Sequence, residues 1–277
     1  MAADVESSGN VDARIPVGMK IAQYLLPCAT ASLGISRILA PKALDRPLTL
    51  FVPGILTNMN SACLRVIPLT KLFDIVVCEL PGHGISHEVD DVSPEAFARE
   101  YSALIDRYVP LSQPVYVIGE SFGGLVGAAL ARLRPDRVSH LILLDTPFRL
   151  TRPPLAALLT TIWQRDSLSP YLRRIFKEVF GFDPQDGSRR EATDFYSMLA
   201  GLDTDCTILA GCEDYTPANR LIEGQPPSQL TNADIAALHA FQRVAILSRI
   251  QAAGHCLLLD NPMACVASLS CHLIGRH

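Results

Sequence analysis

The sequence predicts an α/β protein built on a doubly wound, mostly parallel sheet of about eight strands. Three observations carry this expectation. Short apolar runs rich in β-branched residues recur along the chain. The runs are near-continuous rather than alternating, as in strands buried on both faces. Helix-like stretches separate them, and strands alternating with helices wind into parallel sheets.

The elements follow in order. The opening "MAADVESSGNVDAR" is polar and acidic, so residues 1–14 read as a flexible tail rather than a basic secretory leader. Two strands are expected over roughly 19–27 and 34–40. The apolar stretch "IAQYLLPCATASLGIS" within this region is too short to cross a membrane, and Gln23, Pro27, Thr30 and Ser32 interrupt it. The best strands are "LTLFVPG" (48–54), "FDIVVCEL" (73–80), "PVYVIGES" (114–121), "VSHLILLD" (138–145), "CTILAG" (206–211) and "RVAILSRI" (243–250). A helix over 93–109 opens with Ser93 as cap and Pro94 in its first turn, and another over 122–134 stops before Pro135. Residues 148–200 break the alternation with three helical stretches, 152–166, 171–180 and 191–202, the second carrying an apolar stripe. The expected organisation is a core of 1–147 and 201–277 with a helical cap inserted at 148–200; helices lying on the sheet edge are the alternative.

Composition narrows the function. Hydrophobic residues make up 49% and charged residues 19%, enough for a large core and too apolar for disorder. The net charge is −4 and no Lys/Arg run stands out, which argues against a nucleic-acid partner. Eight cysteines show no Cys-x-x-Cys pair and no metal-ligand spacing. Several lie in apolar runs, where a thiol acts as a small hydrophobe. A reducing compartment, the cytoplasm, is the expected location, with no metal and no cofactor.

The stretch "VIGESFGGLVG" carries the chemistry. It sets Ser121 between a buried strand and a helix, with Gly119 and Gly123 two positions to either side. Glycines there remove side chains that would collide with a nucleophile held in strained backbone. The helix N-terminus adds free N–H groups and the positive end of a dipole near the reacting atom.

From about residue 47 to 265 the chain resembles the α/β-hydrolases of the small esterase, lipase and thioesterase type. Four motifs in that family's order carry the resemblance: "FVPGILTN", "CELPGHGISH", the Ser121 elbow, and the pair "ILAGCEDYTP" and "QAAGHCLLLDNP". The first departs from the family in having Pro53-Gly54 for His-Gly, and the second in having Glu79 for Asp. The resemblance implies a triad of Ser121 as nucleophile, Asp214 as orienting acid and His255 as base. Glu213 and Asp145 are rivals for the acid. His83 is expected to be structural or to line a pocket, and Glu120 to bond neighbouring backbone. The backbone N–H groups of Phe122 and Ile55 would form the oxyanion hole. Leu56, Trp163 and Phe176 would contact an apolar ester or thioester substrate. An acyltransferase with the same triad, or a catalytically silent binding protein, are the alternatives.

Overall fold

The computed structural model describes residues 16, 18–39, 46–149, 162–164, 168–181, 194–212, 227–246 and 249–274. Eight strands form one sheet: β1 (Lys20–Pro27), β2 (Ser32–Leu39), β3 (Leu48–Val52), β4 (Asp74–Cys78), β5 (Val115–Glu120), β6 (Val138–Leu144), β7 (Asp205–Leu209) and β8 (Val244–Ile246). Their spatial order is β1-β2-β4-β3-β5-β6-β7-β8. β1 and β2 form an antiparallel hairpin, β2 runs antiparallel to β4, and every later pairing is parallel. The expected eight-strand, mostly parallel sheet is therefore the observed one.

The unbroken apolar runs reflect burial on both faces. Leu50 and Val52 of β3, Val115 and Val117 of β5, and Leu141 and Leu143 of β6 point into one cluster. Residues at the alternate positions, Phe51, Ile118, Ile142 and Leu144, point into a second. This is the two-residue period of a strand with two dry sides. Helices α2 (Pro94–Tyr108) and α3 (Phe122–Leu133) supply the first cluster through Phe97, Tyr101, Leu125 and Val126. Helix α1 (Met59–Val66) and the C-terminal helices cover the other face through Ala62, Val66, Leu257 and Leu269. Ser93 caps α2 as expected, its Oγ accepting the Ala96 N–H at 3.1 Å.

Two local differences appear among the described residues. β8 covers Val244–Ile246 of the expected 243–250, with residues 247–248 outside the described residues. Of the expected helix over 191–202, the described part holds a short 3-10 turn, Tyr196–Met198, and Asp194 bridges Arg149 instead. Apolar spacing there serves packing, with Phe148 and Tyr196 stacked at 5.6 Å. Most of the 152–166 stretch lies outside the described residues, whereas the middle stretch is helix α4 (Pro170–Glu178), capped by Ser169. Among the described residues no helix is long and apolar enough to cross a membrane.

The cysteines are free thiols. Burial pushes Cys28 and Cys63 up to about 11 and Cys256 and Cys265 up to about 12. Cys78 and Cys206 rise further for the same reason. Thiolate is the reactive form, so these six should resist alkylation in the folded protein. Brief iodoacetamide treatment near pH 8 should label exposed Cys271 first and the six only after denaturation, as read by peptide mass spectrometry.

Candidate active site

The parallel strands β3, β5, β6 and β7 deliver their loops to one edge of the sheet, where the site assembles. β5 ends at Glu120, and Ser121 takes φ 53° and ψ −123° before α3 starts at Phe122. Such a backbone is strained for a non-glycine residue and persists only where its surroundings dictate it. They do so here. The Ser121 N–H donates to Leu144 O at 3.1 Å. A Cβ on Gly123 would lie 2.2 Å from Val52 O and 2.4 Å from Pro53 O, and one on Gly119 would lie 2.4 Å from Gly124 Cα. Gly123→Ala should therefore destabilise the fold by about 1–3 kcal/mol or more, visible as a lowered thermal midpoint.

His255 lies between Ala253, whose carbonyl accepts the Cys212 N–H at 2.7 Å, and a short helix, Leu257–Asp260. Its Nε2 is 2.9 Å from Ser121 Oγ, and its Nδ1 is 2.7 Å from Asp145 Oδ2. Asp145 follows β6, has φ 45°, and is wholly buried. Its carboxylate also accepts the Gly211 N–H at 3.0 Å, the Ser228 hydroxyl at 2.5 Å and the Gln229 N–H at 2.7 Å. A carboxylate surrounded by donors offers only lone pairs to the imidazole. Nδ1 then carries the hydrogen, and Nε2 is free to accept one from Ser121.

The sequence points to Asp214 as the acid, with Asp145 and Glu213 as rivals. Asp214 lies outside the described residues, and so does Glu213. The single hydrogen on His255 Nδ1 is engaged by Asp145, the residue weighed as a rival. Ser228 and Gln229, which hold that carboxylate, carry no motif that would single them out in the sequence.

The remaining site residues fall around this line. Phe122, first residue of α3, has an N–H with no partner inside its own helix. The loop bearing Ile55 lies against the nucleophile: a Cβ on Gly54 would be 3.2 Å from Ser121 Cβ. Leu56 beside it is exposed, with φ 67°. Trp163 and Phe176 belong to an aromatic column in which Phe122 meets Phe180 at 5.5 Å, Phe180 meets Phe176 at 5.5 Å, and Phe176 meets Trp163 at 6.4 Å. Phe176, at the middle of this column, is 0% exposed.

His83 is buried, with Nδ1 3.0 Å from Pro81 O, and burial holds its pKa below the ordinary imidazole value. Glu79 is also buried, accepts the Ile85 N–H at 3.0 Å, and has its carboxyl pushed up by desolvation. Both are consistent with shaping the turn. Glu120 departs from expectation: it pairs with Arg65 at 3.0 Å rather than with nearby backbone.

A model of the alpha/beta hydrolase family matches residues 50–268. Among curated proteins, the chain is 34% identical over 140 residues to a human serine hydrolase-like protein, covering 50% of this chain and 64% of that one. It is 41% identical over 71 residues to lipase LipV of Mycobacterium tuberculosis, covering 26% of each. The chain thus spans less than two thirds of the length of these relatives. A solved thermophilic esterase from Thermogutta terrifontis superposes with a TM-score of 0.61 at 20% identity, covering 93% of this chain and 99% of that one. At that identity the likeness is one of fold.

Proposed function

Because the chain belongs to the alpha/beta hydrolase family, we propose that it is a serine hydrolase cleaving carboxylic esters or thioesters through an acyl-enzyme on Ser121. The observation that carries this reading is the continuous run from Asp145 through His255 to Ser121, with contacts of 2.7 and 2.9 Å. A serine hydroxyl is a weak nucleophile at neutral pH and needs an adjacent base held in the right tautomer.

In the first half-reaction His255 Nε2 takes the hydroxyl proton as Ser121 Oγ bonds to the carbonyl carbon. The carbonyl π electrons move to oxygen, and the Phe122 and Ile55 N–H groups hold the resulting oxyanion. Asp145 stabilises the imidazolium without taking its proton. As the tetrahedral centre collapses, the alcohol or thiol leaves with the proton from His255. Water then attacks the acyl-enzyme with His255 again as base, releasing the acid and restoring Ser121.

The segment 148–200 acts as a cap in this reading. Its Trp163, Phe176 and Phe180 build an apolar wall that ends on Phe122, and Leu56 meets the substrate from the facing loop. The names of the matched relatives, a lipase and a serine hydrolase-like protein, agree with ester chemistry. The test is a panel of nitrophenyl esters and matching thioesters with graded acyl length. Hydrolysis of apolar short to medium chains is expected. A folded protein inert toward the whole panel would contradict the proposal.

A further inference from the structure

Glu120 immediately precedes the nucleophile, and its side chain is only 4% exposed. One oxygen accepts from Arg65 Nη1 at 3.0 Å, while Oε2 is buried with no hydrogen-bond partner among the described residues. Arg65 comes from α1, and its side chain is 9% exposed. Its other arm, Nη2, donates to Thr57 Oγ1 at 3.1 Å, and Nε reaches Ser61 O at 3.4 Å. The Thr57 N–H in turn donates to Gly54 O at 3.2 Å, closing a turn whose middle residues are Ile55 and Leu56.

One guanidinium therefore clasps the residue before Ser121 to the turn that carries Ile55. We infer that Arg65 is a positioning residue: by bridging Glu120 and Thr57 it holds the Ile55 N–H at a set place relative to Ser121. This rests on the serine hydrolase reading of the site. Two observations favour positioning over simple stabilisation. Buried ion pairs are poor stabilisers beside well-packed apolar groups, and this one leaves a carboxylate oxygen unsatisfied. The turn also includes Leu56 at positive φ, a conformation that surrounding contacts must impose. The planar two-armed guanidinium meets both partners at once, which an ammonium does not reproduce.

The test compares wild type with Arg65→Met, Arg65→Lys and Thr57→Val on one chromogenic ester. It also measures inhibition by an aryl trifluoromethyl ketone, whose hemiketal with Ser121 places an oxyanion in the same hole. Arg65→Met should lower kcat by about 10- to 100-fold, the scale of an ångström-level misplacement, with little change in KM. The inhibition constant should rise by a similar factor. Arg65→Lys should fall between, and adding Thr57→Val to Arg65→Met should cost nothing more. A folded Arg65→Met protein with wild-type kcat, or one whose loss leaves ketone affinity unchanged, would overturn the inference. If Arg65→Met does not fold, Thr57→Val alone decides: a paired loss in kcat and ketone affinity supports positioning, and unchanged values refute it. Wild type inert to both ester and ketone would instead refute the underlying hydrolase reading.

Discussion

Replacing Ser121 by Ala is expected to lower kcat by about four to six orders of magnitude, the scale for removing a nucleophile. The fold should survive. Ala retains the Cβ of Ser, the Ser121 N–H to Leu144 O bond involves only backbone, and the side chain contributes a single hydroxyl contact, at 2.9 Å from His255. Thermal melting should therefore show a cooperative transition close to wild type while ester hydrolysis falls to the level left by substrate binding and the oxyanion donors. Retained hydrolysis would move the chemistry to another residue.

Asp145→Asn is the second large effect, with kcat expected to fall by about 10⁴, the scale for losing the group that sets the histidine tautomer. The carboxylate now serves four donors: His255, Gly211, Ser228 and Gln229. An Asn amide has one acceptor oxygen and one NH₂ group. Turning the NH₂ toward His255 and Gln229 opposes two N–H donors, and turning it toward Gly211 opposes a third. Stability should drop as well, by about 1–3 kcal/mol for the unsatisfied buried group. Asp214→Asn provides the contrast and should keep kcat within a few-fold of wild type. If Asp214→Asn carries the large loss and Asp145→Asn does not, the assignment of the acid reverses.

Much of the fold is legible because its signals are local. The apolar runs of β3 to β7 carry the two-sided burial of a parallel sheet in their own composition, and Ser93-Pro94 marks the start of α2 within two residues. The elbow is legible for the same reason, since Gly119 and Gly123 are needed by the immediate backbone around Ser121. The acid is not. Asp145 and Asp214 each follow an apolar strand, and those strands, β6 and β7, are neighbours whose ends pair at Leu144 and Leu209. Which carboxylate meets His255 depends on contacts across 110 positions, and on donors from Gly211, Ser228 and Gln229 that no local pattern announces. Arg65 escapes notice likewise: it sits 55 positions from Glu120, and a lone arginine in a short helix resembles any surface cation until the chain is folded.

Catalysis by this site requires an activated hydroxyl at Ser121. Treating the native protein with a fluorophosphonate and mapping the adduct by peptide mass spectrometry measures that activation without knowledge of the substrate. One equivalent of phosphonate on Ser121, with labelling abolished in His255→Ala, is the predicted result. An unlabelled Ser121 in folded wild-type protein, or labelling indifferent to His255, would contradict it.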